Sequence, residues 1–346
     1  MNYIILDLEW NQSGTPEESV KELTFEIVEI GAVKLNNDRV MVDEFSRLVR
    51  PQVYSKMHHI TRKLIHLRME ELEKGKPFAD VSAEFKEWCG RDYMFGTWGP
   101  LDLSEYQNNL RYFGLKALSD GPIAFFDVQK LFSIQYEDGK SRKSLEYAVD
   151  FLKIEKDIPF HRAFSDAYYT AKVFAKINED LAMSHISYDT YRAPKDEDHE
   201  IWVDFDKYSK FISRGFETKQ QLLSNKKVMS TKCYKCGGAT FKRIKWFSPN
   251  HKNYYYVGFC PRHGYVKSKV RVRKDCHELY FCVKTMKKID RDTFRTLAEK
   301  YTKYKENKKK ALKNADGHSA DEKTPVAFFR RGKNRRFDSV KRKNKQ

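Results

Sequence analysis

The stretch YIILDLEW, residues 3–10, places two acidic side chains in a segment whose other residues favour a buried β-strand. Side chains alternate between the two faces of a strand, so Asp7 and Glu9 point to the same face. Two neighbouring carboxylates repel each other and are costly to bury, so a buried pair indicates a cation between them. An edge strand whose acids face water is the alternative.

Strand and helix patterns follow this segment and predict an α/β fold with a mixed sheet flanked by helices. Two strands are expected at residues 25–35 and 41–49, joined by the turn-prone sequence NNDR, which completes a β-meander. Later strands alternate with helices: strand-like runs begin at residues 93 and 123, and helical patterns occur at residues 79–88, 104–112, 144–154 and 163–177.

The charge of the chain is unevenly distributed. The 346 residues carry a net charge of +18, but residues 1–200 contain 26 Lys and Arg against 35 Asp and Glu, whereas residues 201–346 contain 40 against 13. An acidic first part and a basic, aromatic second part favour catalysis in one and polyanion binding in the other. No apolar run is long enough to cross a membrane, and we expect a cytoplasmic protein.

Three further residues complete a candidate site with Asp7 and Glu9. His161 and Asp166 lie five residues apart in HRAFSDAYYTAKVF. His161 lies just before the predicted helix over residues 163–177, and Asp166 lies on that helix. Asp102 lies where a strand gives way to a helix, the position at which α/β sheets present ligands. Asp120 and Asp127 compete with Asp102, but the preceding TWG and the following helix favour Asp102.

In order and context, these five residues resemble the motifs of the DEDDh 3′-to-5′ exonucleases, DnaQ-like enzymes with a ribonuclease H-like fold. The segments EIVEIGAVKL, FSRLVRP, HHIT and SLEYAVDFLKI are similar to that family too. The resemblance covers roughly residues 1–180, and it is strongest to the branch with histone-mRNA exonucleases and KapD-like sporulation inhibitors.

The resemblance implies roles for each residue. Asp7, Glu9, Asp102 and Asp166 would bind two Mg²⁺ or Mn²⁺ ions, which prefer hard oxygen ligands. His161 would accept the proton of the attacking water, a task that suits a side chain titrating near neutral pH. The terminal nucleotide would contact residues beside the first acid pair and in the HHIT segment, which are Trp10, His59, Ile60 and Thr61.

A second metal site is expected after residue 226. Cys233 and Cys236 form one C-x2-C pair, and Cys260 with His263 forms a C-x2-H pair, with a glycine following each pair. This spacing is typical of a zinc ribbon with a structural, tetrahedral Zn²⁺. Three other residues are alternatives to His263 as the fourth ligand, namely Cys276, His277 and Cys282.

Aromatic and basic residues surround these cysteines and predict contacts with nucleic acid. The rings are Phe241, Trp246, Phe247, Tyr254, Tyr255, Tyr256 and Tyr265, and we expect half of them to be buried. The predicted organisation is an exonuclease domain at 1–185, a linker and helical bridge at 186–225, a β-rich zinc-ribbon module at 226–290, and a basic helix with a disordered tail at 291–346.

The sequence therefore predicts a metal-dependent 3′-to-5′ exonuclease acting on single-stranded or structured RNA, with DNA as a further possible substrate. Two alternatives are a regulatory binding protein that retains the exonuclease fold and a DNA-repair or proofreading exonuclease. The intact acids and His161 argue against an inactive protein.

Overall fold

The computed structural model describes residues 1–65, 67–205 and 207–316. Its first part is built on a six-stranded sheet with the order β3-β2-β1-β4-β5-β6, in which β1 runs antiparallel to β2 and parallel to β4. The strands are β1 (Asn2–Asn11), β2 (Glu26–Leu35), β3 (Met41–Leu48), β4 (Tyr93–Thr97), β5 (Ala124–Asp127) and β6 (Ser187–Tyr188). The predicted meander and mixed sheet are confirmed.

Helices cover both faces of this sheet, as predicted. Even-numbered residues of β1, such as Ile4 and Leu6, contribute to a core with Phe85 and Tyr106, whereas Tyr3 and Ile5 contribute to a core on the opposite face. The helices are α1 (His59–Ile65), α2 (Met69–Leu72), α3 (Phe78–Cys89), α4 (Leu101–Tyr112), α5 (Val128–Tyr136), α6 (Leu145–Phe151), α7 (Ala163–Lys176) and α8 (Glu179–Met183).

The start of α7 lies directly on β2 at Gly31. A Cβ atom at Gly31 would lie 2.1 Å from the carbonyl carbon of Ala163. Gly31 is also the partner of Asp7 in the ladder between β1 and β2. The missing side chain therefore lets the first turn of α7, which carries Asp166, approach the strand that carries Asp7 and Glu9.

A second six-stranded sheet, entirely antiparallel, follows in the order β7-β8-β12-β11-β10-β9. Its strands are β7 (Ile201–Asp204), β8 (Tyr208–Ile212), β9 (Phe241–Phe247), β10 (Asn253–Cys260), β11 (Gly264–Lys274) and β12 (Tyr280–Lys288), and α9 (Lys219–Ser224) joins β8 to the cysteine-bearing loops. The β-rich second part is confirmed, and it is larger than a zinc ribbon alone.

The segment predicted as a linker and helical bridge, residues 186–225, has a different structure. Ser187–Tyr188 closes the first sheet beside β5, residues 201–212 supply β7 and β8 of the second sheet, and only Lys219–Ser224 is helical. The reason is long-range pairing, because β8 is held by β12, through pairs such as Lys210 with Thr285. Local polarity does not reveal such a partner.

The chain divides into two compact units, Met1–Arg295 and Thr296–Gln346. Helix α10 (Arg291–Asp316) matches the basic helix expected at the start of residues 291–346. The rest of that segment, residues 317–346 with the predicted disordered tail, lies outside the described residues. Within the described ranges, no helix has the length and apolar character that a membrane span requires.

The close approach at Gly31 predicts that adding a single methyl group at this position destabilises the folded state. Gly31→Ala should lower the free energy of unfolding by about 3 kcal/mol or more, because neither β2 nor the α7 backbone can move away without disrupting the sheet. Denaturant titration measures this change. Gly121→Ala is the matched control, since the nearest atom to its Cβ would lie 3.9 Å away, and an equal loss in both variants would contradict the packing argument.

Candidate active site and metal centres

Three carboxylates converge at the end of β1. Asp7 and Glu9 lie on the same face of this strand, as predicted, and Asp166 reaches them from the first turn of α7. One oxygen atom of each of these three side chains lies within 4.8 Å of the others. Beyond Glu9 the register of β1 against β2 shifts at a bulge, in which Val28 is the extra residue of β2.

The surroundings of these acids disfavour their ionised forms. Burial and the neighbouring charge of Asp102 raise the pKa of Asp7 well above its ordinary value. Burial and the charge of Asp166 raise the pKa of Glu9 to about 8. A divalent cation would offset both effects, and carboxylate oxygens are the ligands that Mg²⁺ and Mn²⁺ prefer, so these residues fit the predicted ions.

Asp102 lies beside this group without belonging to the closest three. It occupies the first turn of α4, and its side chain is buried. Burial raises its pKa to about 7, although hydrogen bonds from backbone amides, including that of Leu8 on β1, oppose the rise. Its charge raises the pKa of Asp7, which places the two carboxyls within electrostatic reach of each other.

The two competitors of Asp102 have other partners. Asp127 is the N-cap of α5, where Oδ1 accepts a hydrogen bond from the backbone amide of Lys130 at 2.9 Å, and its Oδ2 lies 3.5 Å from Arg142. Asp120 is exposed and lies 3.7 Å from Arg192. The geometry therefore favours Asp102 as the fourth acid.

An ion pair between a buried acid and a partly exposed arginine, which the sequence analysis missed, anchors the segment between His161 and Asp166. Glu29 is fully buried on β2, opposite Glu9, and accepts two hydrogen bonds from the Arg162 guanidinium, at 2.7 and 3.0 Å. Its Oε2 also accepts the backbone N–H of Ala163 at 3.3 Å. The signal was present in EIVEIGAVKL, where an acid interrupts an apolar strand.

His161 is exposed at the edge of the carboxylate group. Its backbone has a positive φ of 68°, and its amide donates a hydrogen bond to Asp166 Oδ1 at 3.4 Å. The charge of His161 contributes to lowering the pKa of Asp166 against the larger effect of burial. The imidazole is therefore close to the acids and accessible to water.

The predicted nucleotide-contacting residues divide into two kinds. Trp10 is half-buried, with its ring centroid 5.4 Å from that of Phe25, and its carbonyl accepts a hydrogen bond from Thr61 Oγ1 at 3.2 Å. His59 and Ile60, at the start of α1, are exposed. Thr61 therefore holds α1 against the end of β1, while His59 and Ile60 remain accessible to a ligand.

The predicted zinc ligands are brought together in the second sheet. The ligand atoms of Cys233, Cys236, Cys260 and His263 all lie within 4.8 Å of one another. Cys236 Sγ lies 3.7 Å from Cys260 Sγ, and His263 Nδ1 lies 3.5 Å from Cys233 Sγ. A tetrahedral Zn²⁺ with ordinary bond lengths separates two sulfurs by about 3.8 Å and a sulfur from a nitrogen by about 3.6 Å.

The surrounding backbone favours a thiolate at Cys260. Gly237 and Gly264 have positive φ values of 65° and 76°, which shape the turn after each ligand pair. Burial raises the pKa of Cys260, but the amides of His263 and Arg262 outweigh it and lower that pKa to about 6. A structural zinc therefore fits these four residues.

The alternatives for the fourth zinc ligand lie elsewhere. The Cys276 backbone bonds Tyr191 and Arg111 in the first part of the chain, and His277 follows it in the same turn. Cys282 is buried on β12, where its amide bonds Ser213.

The raised carboxyl pKa values predict that the metal-free protein loses stability as the pH rises. Between 4.5, the ordinary value for glutamate, and about 8, the folded state binds a proton at Glu9 that the unfolded state has released, so the free energy of unfolding falls with pH. We expect the thermal midpoint of the zinc-containing protein without added Mg²⁺ or Mn²⁺ to fall between about pH 5 and about pH 8, by less in Glu9→Gln. Equal slopes in the two proteins would contradict this.

The zinc geometry predicts a stoichiometry. Purified protein should contain about one zinc per chain, and Cys236→Ser should lose it, because three ligands bind far more weakly than four. Metal analysis of both proteins tests this expectation. Cys276→Ser is the matched control and should retain zinc. If Cys276→Ser lost zinc while His263→Ala kept it, Cys276 rather than His263 would be the fourth ligand.

Comparisons with known proteins agree with the fold of the first part of the chain. Residues 4–174 match the family model described as exonuclease. DNA polymerase III PolC-type from Staphylococcus epidermidis and from Staphylococcus aureus is 23% identical over 180 residues. That match covers 52% of this chain and 11% of the polymerase, so the chain spans only a small part of these relatives.

Solved structures with a similar arrangement include two nucleases. The nuclease domain of 3′hExo, a DEDDh family member bound to rAMP, is 19% identical with a TM-score of 0.46, and the match covers 54% of this chain and 96% of that one. Exonuclease I from E. coli, in complex with a dA16 oligonucleotide, is 10% identical with a TM-score of 0.42, and the match covers 68% and 60%. Residues 4–174 of this chain therefore form a domain of the exonuclease family.

Proposed function

We propose that this chain is a metal-dependent 3′-to-5′ exonuclease that hydrolyses phosphodiester bonds of single-stranded nucleic acid, with RNA preferred over DNA. The observation that carries the proposal is the convergence of Asp7, Glu9 and Asp166, with oxygen atoms within 4.8 Å of one another. Burial and mutual repulsion raise the pKa values of these three acids, and a bound divalent cation would offset both effects. Stability alone does not explain such a cluster.

In this proposal Asp7, Glu9, Asp102 and Asp166 hold two Mg²⁺ or Mn²⁺ ions. When bound, such ions supply an activated water on one side of the phosphorus and charge stabilisation of the leaving oxygen on the other. Asp7 is central among the four acids, since the charges of Asp102, Glu9 and Asp166 all act on it. The carboxylates would fix the positions of the ions, and their burial keeps bulk water from screening the charges of the site.

His161 is the proposed general base. A nitrogen of its imidazole takes the proton of the attacking water, and its exposed position lets that proton pass on to solvent. The backbone of His161 is held by Asp166, and the next residue, Arg162, is anchored by Glu29. The Glu29–Arg162 pair is therefore a positioning pair for the base.

A 3′ end would be recognised by the exposed surface next to these acids. His59 and Ile60 provide a polar and an apolar contact for the terminal nucleotide. The hydrogen bond from Thr61 Oγ1 to the Trp10 carbonyl holds the start of their helix against β1. RNA is preferred in the proposal because the sequence resembles the histone-mRNA exonuclease branch. A proofreading-type deoxyribonuclease is the second candidate, supported by the similarity to PolC-type polymerases.

Charge removal at the acids tests the activity. Asp7→Asn and Asp166→Asn should each reduce hydrolysis of a 5′-labelled RNA oligomer in Mg²⁺ by at least about 10³-fold, because each removes a ligand charge that stabilises the transition state. His161→Ala should reduce kcat by about 10²- to 10⁴-fold. Gel ladders that shorten from the 3′ end measure these rates.

The controls separate the candidate functions. Asp38→Asn removes an exposed acid in the turn after β2 and should leave activity unchanged, and the thermal midpoint of Asp7→Asn should not fall, since it relieves repulsion. Faster cleavage of a DNA oligomer of the same sequence favours the proofreading-type alternative. Full metal-dependent turnover by Asp7→Asn rejects the proposed site, and binding without cleavage by wild type supports a regulatory protein.

A further inference from the structure

A cleft of about 470 Å³ opens between the amino-terminal end of α4 and the second sheet. On the side of α4 it is lined by Pro100, Leu101 and Ser104, the residues on either side of Asp102. On the other side it is lined by residues of β8, β11 and β12. The cleft therefore lies between the helix that carries Asp102 and the second sheet.

A row of cations on β11 forms the wall of this cleft. Val266, Ser268 and Val270 are buried on one face of the strand, so the alternating residues lie on the other face. These are Lys267, Lys269, Arg271 and Arg273. Side chains two residues apart on a strand are separated by about 6.8 Å, so the row extends for about 20 Å. A repeating row of cations is complementary to the repeating phosphates of a nucleic-acid strand.

Neighbouring strands extend the row sideways. In the register of the sheet, Lys287 is opposite Lys267, and Thr285 is opposite both Lys269 and Lys210. A second cleft of about 520 Å³ shares Lys210, Lys269 and Thr285 with the first and extends to Lys130 on α5. The two clefts therefore form one cationic surface that is continuous from α4 to α5.

Two carboxylates among the described residues, Asp127 and Asp189, also line this surface. Asp127 is paired with Arg142 and caps α5, and Asp189 accepts a hydrogen bond from Gln107 at 2.9 Å. Burial and the charge of Lys130 lower the pKa of Lys210 to about 7. Cations that are crowded and partly desolvated in this way gain stability when an anion binds between them.

Most rings of the second sheet face its own core or each other. Trp246 and Tyr254 pack in the apolar cluster around Phe211, and Tyr256 is buried. The Tyr255 ring lies under the ammonium groups of Lys267 and Lys269, at 5.6 and 5.9 Å. Recognition in the cleft is therefore dominated by charge, which favours binding to the backbone of a strand irrespective of its base sequence.

We propose that this cationic cleft binds the phosphates of the single strand upstream of its 3′-terminal nucleotide and leads that strand to the carboxylate site. The assignment rests on the proposed function in taking the 3′ end to lie at Asp7 and Asp166. The ligand class is single-stranded nucleic acid, recognised through its phosphodiester backbone. A dinucleotide fills the active site without reaching the row on β11, whereas a longer strand engages both.

Binding to the zinc-containing protein without added Mg²⁺ or Mn²⁺ tests the cleft independently of hydrolysis. Anisotropy of a fluorescein-labelled 12-nucleotide RNA and of the DNA of the same sequence is measured with the full chain over a range of salt concentrations. Lys269→Gln/Arg271→Gln should weaken binding at least about tenfold and reduce the slope of log affinity against log salt by about 1.4, because two phosphate contacts are lost. The dinucleotide hydrolysis rate in Mg²⁺ should stay at the wild-type value.

The matched control is Lys242→Gln/Arg243→Gln, which removes one lysine and one arginine from the exposed edge strand β9 outside the cleft. It should change affinity less than twofold. Equal losses in the two double variants, an unchanged affinity in the cleft variant, or no binding by wild type would each overturn the proposal. Wild-type binding without hydrolysis would reject the proposed function alone, since the comparison of variants still measures the cleft.

Discussion

Four carboxyl groups on three separate elements are held closer together than their charges favour, and much of the first domain is arranged around that constraint. Asp7 and Glu9 lie on the central strand, Asp102 starts α4, and Asp166 starts α7. Burial and mutual repulsion raise their pKa values, so the metal-free site is costly to the fold. A fold tolerates this cost where a bound cation replaces the repulsion between the carboxylates with attraction to the ion.

Two local features supply the rigidity that this cost requires. Gly31 lets the backbone of α7 contact β2 without an intervening side chain. The bidentate pair between Glu29 and Arg162 then fixes the turn that carries His161. The charge of Glu29, which lies opposite Glu9, is therefore balanced by an arginine. Because Glu29 is fully buried, loss of its partner would leave an unpaired charge in the core.

The second sheet is joined to the same helix that presents Asp102. Arg111, near the end of α4, donates a hydrogen bond to the carbonyl of Cys276 at 2.5 Å, and the Cys276 amide donates to Tyr191 at 2.8 Å. An apolar patch that includes Ile212 and Phe281 lies beside these bonds. The cationic face of the second sheet is therefore fixed relative to the helix that carries Asp102, as the proposed path of the nucleic-acid strand requires.

The amino-acid sequence by itself determined the elements whose patterns are local. The apolar alternation of β1 to β3, the helical period of α7 and the spacing of Cys233, Cys236, Cys260 and His263 are each contained in a short segment. The tertiary structure decided the rest: that Glu29 pairs with Arg162, that residues 201–212 join the second sheet, and that the row on β11 faces α4. The physical reason is that periodicity reports which face of an element is apolar, whereas the partner that covers this face, or shares its charge, is chosen by contacts between residues far apart in the chain.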